Sequence, residues 1–496
     1  MLPPRSDVEI IRELLQDLPA GAAWTPNTTP EPKDVFAPRA HRNVLDLSRT
    51  LVVGNRGTGK TFWSHVLWSR QGRGLVAEAY GLSELKRVEA VFGFQGSITD
   101  QNAPSAKVIT AALDRGVEPQ VFWQAVLLKA YGPVATTGLP QDFVGLSEWF
   151  AANPEQGERR IREADEARAE TVLLVMFDAL DTIADDWVSI RTRTEGLLRL
   201  AVVAKGLRNT RIKIFMRPDQ FEDTALFRFP DATKLRAERV NLEWRFYDLY
   251  ALMFFHIWKN AEGKEALRNI AGIHAQLFRK NGEQIQPILI MHEGVQRSLF
   301  KAIAGEWMGG DRKRGATYSW LIQHLSDAYG ETTPRAFLTA LRGAAQILPI
   351  RHDTAIDYRG ITHGVGEASE NRVDDLLQDY WWIDYIREPL SGLHTPITKE
   401  ALFTAWKEAN TASQIRAVAP LRGLLPVYLA LRARIDELPR ELAADISTDE
   451  NALLMSLRLI SVCEIRTNQK VNFPDIFRVA FKMKRRGGIP PRRNSQ

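Results

Sequence analysis

Residues 48–63 read Ser-Arg-Thr-Leu-Val-Val-Gly-Asn-Arg-Gly-Thr-Gly-Lys-Thr-Phe-Trp. Thr50–Val53 has the make-up of a short buried strand. Gly54, Gly59, Lys60 and Thr61 then fit G-x-x-x-x-G-K-[ST], a phosphate-binding loop. Glycines let the backbone turn tightly enough to aim its N–H groups at a phosphate. The apolar spacing of Phe62, Val66 and Leu67 predicts a helix starting near Lys60, whose partly positive N-terminus faces the same anion. The nine residues Gly54, Asn55, Arg56, Gly57, Thr58, Gly59, Lys60, Thr61 and Phe62 are the candidate nucleotide contacts. Lys60 has the chemistry to bridge the β- and γ-phosphates of ATP and so to act in catalysis, and Thr61 the hydroxyl to ligate Mg²⁺. A chain of this length matches the pattern by chance roughly once in fifty to a hundred. The strand in front and the helix behind lower those odds, which leaves a ligand-free Gly-rich turn as the lesser reading.

Thr171-Val172-Leu173-Leu174-Val175-Met176-Phe177 is the most apolar run of the chain. It is continuous rather than alternating, as a parallel strand covered on both faces requires. Asp178 follows at its carboxyl end, where open α/β sheets bind ligands, and is the candidate carboxylate for holding Mg²⁺ through water. A helix is predicted over 191–207, then a strand at 211–216 ending on Arg217, a strand at 238–242, and a helix over 245–258. Gly74–Ala79 reads as a further strand. Residues 81–170 read as mostly helical, broken at 131–141, with the charged stretch 155–170 a solvated helix or a mobile linker. Asp185 and Asp186 read as helix caps or solvent-facing residues. This βαβ alternation predicts an α/β fold, the parallel three-layer sandwich of a P-loop NTPase.

Upstream, residues 8–18 form an amphipathic helix and residues 24–38, with Pro26, Pro30, Pro32 and Pro38, an extended lead-in. His41 sits just before the first strand, where a base contact is one reading and a surface or capping role the stronger one. Downstream, 260–345 is helical with a turn cluster at Gly309–Gly315, 346–372 is loop-rich, and a further unit begins near Asp379. Helices at 398–410, 412–418, 424–437 and 448–460 precede a hairpin of Ser461–Arg466 with Lys470–Phe473. Another helix follows at 475–483, an order that suits a winged-helix module. The expected segments are 1–47 (helix and lead-in), 48–260 (P-loop core with a helical insertion at about 81–170), 261–372 (helical lid) and 373–496 (helical, winged-helix-like, with a basic tail).

Composition narrows the class. The 496 residues are 45% hydrophobic and 25% charged, an ordinary globular make-up. The single cysteine, Cys463, excludes an intramolecular disulfide and any Cys-cluster zinc site, and suits a reducing cytosol. No run of about 18 apolar residues exists, and Met1–Ala20 is acidic and amphipathic, unlike a signal peptide. A cytoplasmic protein with no membrane partner is expected. Net charge is +5 and the pI about 9.1. Lys482, Lys484, Arg485, Arg486, Arg492 and Arg493 form a basic end, read as solvated or, alternatively, as a DNA contact. The histidines are scattered, which argues against a nuclease, and no Asn-Lys-x-Asp occurs to select guanine.

Phe177-Asp178-Ala179-Leu180-Asp181 narrows the family. Additional-strand P-loop ATPases usually place Glu directly after the strand-end Asp, and here Ala179 takes that position. The pattern resembles the hhhhD-x-x-D form of STAND and KAP-type ATPases, relatives of AAA+ proteins. That resemblance implies that Asp181 orients the attacking water, the alternative being a helix cap or an indirect metal contact. Arg217-Pro218-Asp219 resembles the STAND sensor arginine on the fourth strand, which implies a γ-phosphate contact for Arg217, the alternative being a surface arginine ending a strand. Thr333-Pro334-Arg335 resembles the Gly-x-Pro-Arg start of a lid helix in AAA+ and origin-recognition-like ATPases, with Thr332 in place of the Gly. It implies a nucleotide contact for Arg335. Arg56 could meet phosphate or a neighbouring subunit. The set Gly-Asn-Arg-Gly-Thr-Gly-Lys-Thr, Phe-Asp-Ala-Leu-Asp, Ile-Phe-Met-Arg-Pro-Asp-Gln-Phe, Val-Asn-Leu-Glu-Trp, Thr-Pro-Arg-Ala-Phe and Phe-Pro-Asp-Ile-Phe-Arg is similar to a group of bacterial STAND-like ATPases linked to phage defence or mobile elements.

The expectation is therefore a Mg²⁺-dependent ATP-binding and hydrolysing switch, serving a bacterial defence or mobile-element system, with a protein partner or effector and a homo-oligomer as companions. A nucleotide sensor with little turnover and a DNA-associated AAA+-like motor or loader are the alternatives.

Overall fold

The computed structural model describes residues 6–19, 31, 34–96, 103–276, 292–422, 425–438 and 440–486. The expected lead-in prolines Pro26, Pro30 and Pro32, and Arg492 and Arg493 of the basic end, lie outside them. The chain divides into two compact units, Ala23–Glu243 and Met1–Ala22 with Trp244–Gln496.

The first unit is built on a parallel five-stranded sheet. Its strands are β1 (Leu51–Val53), β2 (Val88–Phe94), β3 (Val172–Phe177), β4 (Thr210–Met216) and β5 (Val240–Asn241), in the order β2-β3-β4-β1-β5. All pairs are parallel. β3 shows why its run is continuous. Leu174 and Met176 join a core with Trp63, Val66, Leu67 and Val76. Phe177, on the opposite face, meets Trp123 edge-on at 5.4 Å between ring centres. With both faces covered, each such side chain contributes about 1.5–3 kcal/mol of burial. The sandwich expected from the sequence is thus present: a parallel sheet with helices on both faces. Asp186 caps the helix Trp187–Ala204 through the Ser189 N–H.

Two elements of this unit differ from expectation. Gly74–Ala79 is not a strand but part of the helix Arg70–Tyr80. Ser69 caps its start by accepting from the Gly72 N–H, and Gly81 closes it in the left-handed conformation at φ 66°. The buried positions Gly72, Arg73, Val76 and Ala77 follow helical spacing, and two good caps outweigh the apolar cluster that suggested a strand. The second strand is Val88–Phe94, inside the stretch read as mostly helical. It carries an irregularity between Phe92 and Phe94, where a Cβ on Gly93 would fall 2.5 Å from the Phe177 ring.

In the second unit the helix Asp7–Gln16, closed by a capping box of Ser6 and Glu9, packs on the helices Ala261–Ile270, Pro334–Gln346 and Phe246–Trp258. Tyr250 stacks on Tyr318 at 4.1 Å and touches Phe300 and Phe337 edge-on. Residues 346–372 are not all loop: Tyr358–Asp379 is a helix of 22 residues. Its glycines are contact points rather than breaks. A Cβ on Gly360 or Gly364 would run into the carbonyl of Ala344 or Ala340 on Pro334–Gln346, so only glycine permits the two helices to approach this closely. Further on come the helices Lys399–Glu408, Thr411–Arg422 and Asp449–Leu459, then an antiparallel hairpin of Glu464–Ile465 with Val471–Asn472. Among the described residues, no helix is long and apolar enough to cross a membrane.

Candidate nucleotide site

At the carboxyl end of β1 the chain enters the phosphate loop. Gly54 donates its N–H to the Met216 carbonyl (3.1 Å), which fixes the loop's start against β4. A Cβ on Gly54 would lie 2.7 Å from Thr58 Oγ1 and 3.1 Å from Leu242 Cβ, so the position is closed to any side chain. Gly57 and Gly59 take φ 82° and 103°, a region that side chains disfavour. The helix Lys60–Trp68 begins directly after Gly59. Thr58 Oγ1 donates to the Asn55 carbonyl at 2.7 Å, closing the turn.

Lys60 Nζ donates back to the carbonyls of Gly54 (2.7 Å) and Asn55 (3.0 Å). Burial pushes its ammonium down to about 8, opposed by the nearby negative charges of Asp178 and Asp181. Asp178, buried at the end of β3, is held from two sides. Ser64 Oγ donates to its Oδ2 at 3.0 Å, and the Ala179 N–H donates to its Oδ1 at 2.8 Å. Ser64 lies one turn after Thr61 on the same helix face, so this bond draws the Asp178 carboxylate toward the face that carries Thr61. Thr61 itself is exposed. A hydroxyl and a carboxylate on one helix face are hard oxygen donors, the set that Mg²⁺ takes when it also keeps waters and phosphate oxygens. The glycine cradle, the helix N-terminus and Lys60 likewise fit a triphosphate.

Ala179 has a left-handed backbone, φ 55° and ψ 38°, and its Cβ lies 3.2 Å from where a Cβ on Gly96 would stand. The residue after the strand-end Asp therefore faces the end of β2. Asp181 lies in the short turn Leu180–Thr182, and its Oδ2 is 3.4 Å from Arg217 Nη1. Arg217, at the end of β4 and only 8% exposed, also gives Nε and Nη2 to the two oxygens of Asp219, at 3.1 and 2.7 Å. The structure thus brings together the loop, Asp178, Asp181 and Arg217. The strand order explains how: β4 lies between β1 and β3, which puts Arg217 between the loop and the two acids. β4 thus separates the strand that leads into the loop from the strand that ends on Asp178.

Arg335 belongs to the second unit. It stands in the first turn of Pro334–Gln346 and pairs with both oxygens of Asp375, at 3.0 and 2.8 Å. Arg485 of the basic end is tied with Arg478 to the buried Asp475, whereas Lys482, Lys484 and Arg486 are exposed. His41 is not at the surface. It is wholly buried, its Nδ1 accepting from Trp63 Nε1 at 3.1 Å and its Nε2 donating to the Glu243 carbonyl at 2.9 Å. Those partners fix one neutral tautomer, and burial pushes its pKa down to about 4. Sequence reasoning missed Ser64 and Asp219. Ser64 was visible as a small hydroxyl one turn after Thr61. Asp219 carried only its place two residues after Arg217.

No protein-family model matches the sequence, and no curated protein matches it. Among solved structures the chain is similar to the Aeropyrum pernix ORC2 protein, determined as ADPNP–ADP complexes. The identity is 10% over 92% of this chain and 97% of that one, with a TM-score of 0.28. The fold assignment rests on the chain's own sheet order and phosphate loop.

Proposed function

We propose that this chain is a Mg²⁺-dependent ATP-binding and hydrolysing switch whose site lies at the carboxyl ends of β1, β3 and β4. The observation that carries the proposal is the convergence of a glycine-cradled Lys60 with Asp178, Asp181 and Arg217 from three strand ends. The N–H groups of residues 54–62 would cradle the phosphates, and Lys60 would leave the loop carbonyls for the β- and γ-oxygens. Thr61 and Asp178 would hold Mg²⁺, which when bound neutralises charge across those oxygens. Asp181 would orient the attacking water and Arg217 would stabilise the charge that develops on transfer. Arg335 enters as a nucleotide contact on the motif resemblance alone. The resemblance to STAND-like ATPases supports a bacterial defence or mobile-element setting, with a protein partner or effector and a homo-oligomeric state to test by co-purification. A DNA-associated motor or loader, suggested by the exposed Lys482, Lys484 and Arg486 of the basic end, is the alternative, to test by salt-dependent DNA binding.

Asp181→Ala should leave ATP binding within about threefold and lower turnover at least about tenfold, as loss of a group needed only in the transition state does. Unchanged turnover in that variant would remove Asp181 from the mechanism. One observation favours a second reading, a nucleotide sensor of low turnover: Asp181 is engaged by Arg217, and Ala179 stands where a water-activating Glu is usual. Steady-state phosphate release by the full chain separates the two.

A further inference from the structure

Among its partners Arg217 engages two acids of unequal character. Asp219 is 3% exposed and takes the Nε–Nη2 edge with both oxygens, at 3.1 and 2.7 Å. Such a fork-to-fork pair is directional, and it is strong where water is excluded. Asp181 is about one-third exposed and lies 3.4 Å from Nη1, a single long contact beside solvent and correspondingly weak. The backbone beneath is also fixed, because the Arg217 N–H donates to Gln220 Oε1 at 3.1 Å. One acid therefore sets the plane of the guanidinium, and the other occupies a contact that can be exchanged.

We propose that Asp219 is a positioning residue for Arg217, and that the Arg217–Asp181 contact is exchanged when a nucleoside triphosphate enters. This rests on the ATPase reading above. Held by Asp219, Arg217 keeps Nη1 turned toward the acid-lined side of the site. A γ-phosphate carries more negative charge than one carboxylate and displaces Asp181 from Nη1. Asp181 then becomes available to accept a hydrogen bond from water. A nucleoside diphosphate brings no γ-phosphate and leaves the Arg217–Asp181 contact closed. The γ-phosphate is thus both the group to be transferred and the group that frees the acid needed to transfer it.

The test uses the full chain with Asp219→Asn, Asp219→Glu, Arg217→Ala and the double variant Arg217→Ala/Asp219→Asn. It measures ATP and ADP affinity by calorimetry and turnover by phosphate release. Asp219→Asn should lower kcat about tenfold or more while ADP affinity stays within about threefold, with the preference for ATP over ADP reduced. Asp219→Glu should recover part of kcat. In the Arg217→Ala background Asp219→Asn should add less than about a twofold further loss, since the two act as one unit. If Asp219→Asn does not fold, Arg217→Lys keeps the charge but cannot be held by two parallel bonds, and it should show the same kcat loss with ADP affinity retained. Unchanged kcat in the folded variants, or full additivity in the double variant, overturns the proposal and leaves the ATPase reading standing. Absence of any ATP binding that depends on Lys60 in the parent protein overturns both.

Discussion

At the scale of single residues, Ala179 is the most informative departure. Its left-handed backbone costs a non-glycine residue about 1–2 kcal/mol, and its Cβ lies beside Gly96, past the end of β2. An acid placed there by Ala179→Glu is aimed at the end of β2 and should therefore not raise turnover. A several-fold gain in phosphate release by that variant would show that the geometry leaves room for a second acid. The loop residues 54–61, Asp178, Asp181 and Arg217 were legible in the sequence because each follows an apolar run that announces its strand. Ser64 and Asp219 showed only as a hydroxyl one turn after Thr61 and an acid two residues after Arg217, because spacing along the chain does not encode which way Asp178 and Arg217 turn.

Elements were legible where one signal dominated and misread where two competed. β3 has an unbroken apolar run. By contrast, Leu75, Val76 and Ala77 suggested a strand until Ser69 and Gly81 capped them into a helix. The helix Tyr358–Asp379 was hidden by glycines that a lone sequence presents as breaks. Its packing gives a direct prediction. Gly364→Val should destabilise the protein by about 1–3 kcal/mol, because the new side chain must push the helix off Ala340, and the loss is readable as a lower denaturant midpoint. His41 gives another. Its pKa falls from the ordinary 6.5 to about 4 on burial, so between these values the unfolded chain binds more protons than the folded one and stability rises with pH. Acidification from about pH 6.5 to 4 should cost up to about 3 kcal/mol from this residue alone. His41→Gln should flatten that part of the pH–stability curve, and an unchanged slope would refute a neutral, locked His41.

At the scale of the whole molecule, the core sheet and the proposed catalytic and metal-binding residues Lys60, Thr61, Asp178, Asp181 and Arg217 lie within Ala23–Glu243, whereas Arg335 and the basic end belong to the other unit. The proposed nucleotide site therefore belongs to the first unit, and its ligand binding is measured on the intact chain. Calorimetric titration of the full-length protein with ATP and Mg²⁺, beside its Lys60→Ala variant, tests it most directly. Saturable binding by the parent protein is expected, with a loss of at least about a hundredfold in affinity when the ammonium is removed, consistent with about 3 kcal/mol for charge-assisted contacts to phosphate. Equal binding by both proteins, or none by either, would contradict it.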